Sequence, residues 1–316
     1  MTLRLCLLLT ILVGPVTVTT AEEPTTLATV QRAVGFLEAD MAKWRADHNC
    51  ASCHHGPFAV WSLQAAKRAG AKIDDANYEE TLNWLLTSDK ARLLPGEADA
   101  KTSIASVYFG IALQHVPATD AVKAARQRIE RHLVATQKED GGWLTPAGRP
   151  PLLLTVDESH DWVRWSLGNS GDPEAKVVES RRRADALIAA TKIGDDLPVL
   201  LARMLHTPVP LPAEQTQTVL NRQNADGGWS QTPTMASDGL ATGMALTALR
   251  HAAVKSDDPA LGRAVTFLMK SQREDGSWAM TSRPHPENKS TAKNLIPITY
   301  PGSAWAVIGL SSVLTP

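Results

Sequence analysis

Two kinds of helical pattern alternate along the chain. Segments at about 25–45, 76–88, 119–137, 174–191, 212–223 and 258–272 carry charge on one face, as in the run from Ala121 to Gln137. Each is followed by a segment that is apolar nearly all round and rich in small residues, such as Gly239 to Ala253. A helix with one polar face lies against solvent, and one that is apolar all round is buried. The apolar segments come to a comparable register around Leu63, Leu113, Leu167, Leu205, Leu249 and Leu310, and alternating β-branched runs are scarce. The pattern predicts an all-α protein of six outer–inner helix pairs closed into an α6/α6 toroid. Its inner helices should start near 55, 102, 158, 196, 238 and 302.

A literal repeat runs through the second half. Gln137-Lys-Glu-Asp140-Gly141-Gly142-Trp143, Gln223-Asn-Ala-Asp226-Gly227-Gly228-Trp229 and Gln272-Arg-Glu-Asp275-Gly276-Ser277-Trp278 share the pattern Q-x-x-D-G-[GS]-W. Internal repetition of this kind governs the fold. Asp-Gly makes a tight turn at the end of an outer helix, with Gly supplying a backbone angle that other residues resist. Gln suits the exposed backbone of helix ends, and Trp suits the junction between neighbouring pairs. These residues are expected to be scaffold rather than chemistry. The string resembles the QW motif of squalene–hopene and oxidosqualene cyclases, whose domains are α/α toroids, an architecture shared by protein prenyltransferase β subunits. The resemblance runs over the mature chain and is strongest over 119–316. It implies a toroid with a central cavity able to take an apolar, isoprenoid-like molecule.

Residues 1–21 are set apart from this repeat. Arg4, the apolar run Leu5 to Val13 and the small residues Thr19-Thr20-Ala21 have the form of a secretory signal peptide, too short to serve as a permanent membrane anchor. The expectation is a signal peptide at 1–21, a toroid at 22–316, and an exported, periplasmic or extracellular protein with no membrane-integral part once the signal is cleaved. Without Arg4, Lys+Arg numbers 31 against 33 Asp+Glu, a net charge of −2. Arg181-Arg182-Arg183 is the one basic cluster, on a predicted polar helix face, so nucleic acid is not an expected partner.

Export sharpens the meaning of the cysteines. Cys6 lies in the signal segment, which leaves Cys50 and Cys53 in Asn49-Cys50-Ala51-Ser52-Cys53-His54-His55. Two cysteines this close are not stapling a fold. Cys-x-x-Cys-His is the haem c attachment pattern, in which both thiols bond the porphyrin edge and the histidine is the proximal iron ligand. On that reading Cys50 and Cys53 hold the haem by thioether bonds, His54 ligates its iron, and a redox partner is expected. A metal site using Cys50, Cys53, His54 and His55, and a Cys50–Cys53 redox disulfide, are the alternatives. His55 is excluded as distal ligand because a neighbour of the proximal residue cannot cross to the opposite haem face. His160 and His285 are the distal candidates, since the inner-helix N-termini are expected to open on one mouth of the ring. The same mouth is expected to hold Asp157, Glu158, Asp238 and Tyr300, with Met280 and His285 on the long linker Ala279 to Thr299 that leads to Tyr300.

Cyclisation by protonation is a separate question. Cyclases of this resemblance that work that way carry D-x-D-D-T, and the matching segment here reads Ala98-Asp99-Ala100-Lys101-Thr102, with Ala100 at the position of the acid. Asp157 and Glu158 are the remaining catalytic candidates, and acidic residues just before a helix are also ordinary caps. The Asp-x-Cys zinc pair of prenyltransferases is absent from the sequence. Three classes therefore stand: an exported c-type haem protein in electron transfer or haem-dependent oxidoreduction, a terpene-cyclase-like enzyme, and a non-catalytic isoprenoid-binding or interaction module.

Overall fold

The structure is a computed structural model and describes residues 25–51, 54–91, 93–96, 99, 101–145, 156–168, 174–283 and 292–315. The signal segment 1–21, Cys53, His285 and the side chains of Asp157 and Glu158 lie outside the described residues.

Outer helices α1 (Thr26–His48), α3 (Asp75–Thr87), α5 (Asp120–Thr136), α7 (Ala175–Ala190), α9 (Ala213–Asn221) and α11 (Pro259–Ser271) alternate in sequence with inner ones. The inner helices are α2 (Gly56–Arg68), α4 (Ile104–Ala112), α6 (Val156–Ser166), α8 (Leu197–His206), α10 (Gly239–His251) and α12 (Ala292–Leu314). Each inner helix packs on the next, α12 returns to α2, and α1 meets α11, so the ring is closed. Among the described residues the one strand-like pairing is an isolated bridge between Gln272 and Trp278. Short polar side chains start the helices: Thr25, Asp74, Thr119, Asp238 and Asp258 each accept a bond from a first-turn N–H. Of the six register leucines, five are buried and Leu205 is partly so.

The three QW strings build the same joint three times. The aspartate accepts the N–H two residues on, at 2.9 Å in all three. The next glycine sits at φ 88 to 90°, where a Cβ would come within 2.4–2.7 Å of the Arg183, Arg263 or Arg32 carbonyl oxygen on the following outer helix. Only glycine fits there. The glutamine amide bridges its own turn to that same helix, Gln137 to Ser180 O, Gln223 to Ala260 O and Gln272 to Thr29 O. The last of these joins the final outer helix to the first and closes the ring. Each tryptophan is fully buried and donates its indole N–H to a carbonyl in the last turns of its own outer helix, at Leu133, Val219 or Leu268.

One boundary differs from expectation. The sixth inner helix begins at Ala292 rather than near 302 and runs through Pro297 and Pro301. Each proline removes a helical donor, which argues for a start after Pro301. The two lie four residues apart on one side of the helix, and Tyr300 between them is fully buried with its hydroxyl donating to Leu37 O at 3.0 Å. Packing against α1 holds the turn that local preference would break.

Candidate functional site

The Cys-x-x-Cys-His segment forms the turn between α1 and α2. Asn49 ends α1 in the left-handed conformation at φ 47°, which turns the chain so that Cys50 is half-buried beside it. His55 is fully buried, its Nε2 3.0 Å from Asp40 Oδ2 on α1. The Nδ1 atoms of His54 and His55 share a short hydrogen bond, so one carboxylate and two imidazoles form a line, Asp40 to His55 to His54. Trp44 stacks on His55 at 4.5 Å and on His48 at 3.7 Å, and meets His54 edge-on at 4.7 Å. Tyr300 stacks on the other side of His55 at 4.3 Å.

Burial lowers the pKa of His54 to about 3, with the neighbouring His55 and His48 adding to the effect. Its imidazole is neutral at pH 7 and presents a lone pair rather than a charge. A histidine ligand oriented through its second nitrogen by another side chain is the usual arrangement at metals and haem iron. Among the described residues no three His, Cys, Asp or Glu side chains group as a metal site.

The other sequence candidates are dispersed. His160 is buried on α6, two repeats along the ring, against the first QW turn: a Cβ on Gly142 would lie 2.7 Å from its Nε2. Its neighbour Asp161 is a buried ion-pair centre, bonded to Arg203 at 3.0 Å and to His206 at 2.9 Å. Burial alone would raise the Asp161 carboxyl, and the bonds from His206 and Arg203 more than offset it, holding it low. Met280 is buried against Gly302, where a Cβ would meet its sulfur at 2.3 Å.

Asp238 caps α10 through Ala241 N, and its second oxygen accepts from Gln231 Nε2 at 2.7 Å. Gln231 in turn accepts from Arg283, which pairs with Asp196. Burial raises the Asp238 pKa to about 6 despite these bonds. An acid whose folded pKa lies above its unfolded value of 3.8 favours the fold below about pH 4, and that contribution is lost as pH rises to about 6. About two pH units correspond to about 3 kcal/mol. Asp238→Asn should therefore gain stability relative to the parent by up to about that amount between pH 4 and pH 7. Urea unfolding at both pH values checks it, and a pH-independent difference would show that Asp238 titrates normally.

The ring axis is filled midway by aromatic side chains. Trp305 of α12 lies 4.8 Å from Trp61, 6.2 Å from Trp165 and 6.4 Å from both Trp162 and Phe58, while Tyr108 bridges Phe58 and Trp162. Beyond this plug a central cavity of about 540 Å³ lies at the C-terminal ends of the inner helices, the opposite end from the mouth the sequence suggested. Its apolar wall is Trp61, Trp165, Leu205 and Ile308, and its polar part is Arg68, Gln114, His115 and His251. None of the described residues lining it is a carboxylate. Composition carries no signal for this cavity, because its residues come from five helices and a turn that only ring closure brings together.

With this geometry, the chain has a terpene cyclase-like α/α toroid fold. The type II terpene cyclase MstE from Scytonema, in complex with geranylgeranyl dihydroxybenzoate, superposes with a TM-score of 0.57 at 16% identity, covering 92% of this chain and 98% of that one. A polysaccharide lyase (TM-score 0.59, 10% identity) and a glycosidase (0.58, 11%) match over the same 92% of this chain and 98% of theirs, so the likeness is one of fold alone. In sequence the chain is 25% identical over 214 residues to drimenyl diphosphate synthase of Streptantibioticus cattleyicolor. That match covers 61% of this chain and only 38% of the relative's length. No family model matches.

Proposed function

We propose that the protein holds an apolar, isoprenoid-like molecule in its central cavity and does not cyclise it by protonation. The observation that carries this is the cavity itself: aromatic and aliphatic walls, about 540 Å³ of space, and no carboxylate among the described residues lining it. Ligand sites of this size are mostly apolar with a few placed polar groups. A protonating cyclase needs a carboxylic acid facing the chain, and glycosidases generally need a carboxylate pair. The likeness to a drimenyl diphosphate synthase and to a terpene cyclase in complex with a geranylgeranyl substrate supports an isoprenoid over a sugar. Among the described residues no helix is long and apolar enough to cross a membrane. Titration with farnesol, followed by quenching of tryptophan fluorescence, should saturate, and solvent extracts of the purified protein should contain an isoprenoid by mass spectrometry. An unsaturable titration together with a lipid-free extract would overturn the reading.

A second reading is favoured by the Asp40–His55–His54 line. It is that Cys50 and Cys53 attach haem c and His54 is the proximal ligand, in a protein exported after loss of residues 1–21. Bound there, the group would supply electron transfer to a redox partner. His54 is neutral and its ring is oriented through Nδ1, while Trp44 and Tyr300 wall the turn. With His160 packed under the Gly142 turn, a distal ligand on this reading is absent or comes from His285. Matured in a bacterial periplasm, the protein should stain for haem after denaturation, and Cys50→Ala with Cys53→Ala should abolish the stain. An intact mass equal to the polypeptide without residues 1–21 would leave the cysteines as a metal or disulfide site.

A further inference from the structure

Six inner helices end at the cavity, and helix C-termini carry partial negative charge on carbonyls that lack partners. The protein covers those carbonyls with arginines. Arg250 donates to Ser312 O, Val254 O and Thr315 O, Arg164 to Gly168 O, and Arg181 to Leu167 O. Arg68, in the last turn of α2, makes no hydrogen bond or ion pair to any described residue, although it is exposed and lines the cavity. Facing it, His115 follows α4 and lies flat on Trp61, with ring centroids 4.6 Å apart and planes 5° from parallel. The His115 Nε2 is buried without a hydrogen-bond partner. Its pKa is lowered to about 4 by burial first, then by Arg68 and Arg126, so the ring is neutral at pH 7, with one N–H that a ligand acceptor would draw to Nε2. Of the other polar groups, Gln114 donates to Trp165 O at 2.8 Å and His251 Nε2 bonds Thr207 O at 3.0 Å, while the buried Ser311 hydroxyl, like His115 Nε2, has no hydrogen-bond partner.

A buried polar atom without a partner is costly, and a ligand acceptor at the same point would relieve that cost. The cavity thus offers an uncommitted cation, an orphan imidazole nitrogen and the orphan Ser311 hydroxyl beside an apolar wall. A carboxylate matches the first two, with one charge for the guanidinium and a second acceptor oxygen for Nε2. A diphosphate ester carries more negative charge than a single arginine offsets, and no other lysine or arginine lines the cavity among the described residues. Resting on the cavity reading above, we infer that the ligand is an isoprenoid-type carboxylic acid, its chain on Trp61, Trp165 and Ile308 and its head between Arg68 and His115.

The test compares farnesol, farnesoic acid and farnesyl diphosphate at pH 7.5 by calorimetry on the parent, on Arg68→Gln and on His115→Phe. Farnesoic acid should bind the parent about tenfold more tightly than farnesol, in keeping with a charge-assisted hydrogen bond. Arg68→Gln should erase that preference, so that the acid and the alcohol bind the variant alike. His115→Phe keeps the stack on Trp61 and should reduce the preference severalfold. Equal affinities for acid and alcohol in the parent would overturn the inference while the cavity reading stands. Tightest binding by the diphosphate would overturn it too. Binding of none of the three would remove the cavity reading itself.

Discussion

Replacing Trp229 by alanine is expected to destabilise the fold by about 3–5 kcal/mol, the range for deleting a large aromatic from a core. The indole is fully buried and donates to Val219 O at 2.7 Å, so the truncation leaves a cavity and strips a partner from a carbonyl in the last turns of α9. The same loss is expected for Trp143 and Trp278, which occupy equivalent joints with bonds to Leu133 O and Leu268 O. For a chain of this size the melting temperature should fall by roughly 10 °C. Trp278 stands at the joint that closes the ring on α1, through Gln272 and Thr29. Its variant should also lose protection of the α1 amides in hydrogen exchange. Three variants that melt with the parent would mean that the joints are not bearing the packing assigned to them.

The second large effect concerns a residue with no repeat signature. A Cβ at Gly243 on α10 would come within 2.1 Å of Trp305 O and 2.6 Å of Ala306 N on α12, and one at Gly309 would meet Gly243 O at 2.6 Å. Both obstacles are backbone, which cannot rotate aside as a side chain can. Overpacking a core usually costs 1–3 kcal/mol, and a backbone clash belongs at or above the top of that range, so Gly243→Ala should lose more than about 3 kcal/mol or fail to accumulate as folded protein. Gly35→Ala on the exposed face of α1, where a Cβ meets nothing within 4 Å, is the control. It should stabilise by about 0.4–1 kcal/mol through the unfolded chain. Equal melting temperatures for the two variants would mean that α10 and α12 are not in the close contact described.

The close approach of α10 and α12 marks where sequence reasoning stops. Gly243 lies in the run Gly239 to Ala253, which reads as buried from its uniform apolarity alone. Nothing local tells which of its glycines touches a neighbouring backbone. The Asp40–His55–His54 line has the same character. Cys50, Cys53 and His54 are legible as a spaced motif, whereas Asp40 is one of several carboxylates on the polar face of α1. It reaches His55 because the turn at Asn49 folds α2 back along α1. Arg68 and His115 are likewise ordinary in sequence, the one a basic helix end, the other a residue after an apolar helix.

What the sequence determined by itself is the all-helical class, the alternation of outer and inner helices, the starts of eleven of the twelve described helices to within two residues, and the QW joints. These are local or periodic properties: a side-chain period, a cap, a turn that only glycine can make. The tertiary structure decided where α12 starts, which end of the ring carries the cavity, and which polar groups face it. Those outcomes depend on contacts between residues tens to hundreds of positions apart, such as Tyr300 with Leu37 or Trp305 with Trp61. Packing free energy summed over such contacts outweighs the local cost of Pro297 and Pro301, and no window of the sequence contains both partners.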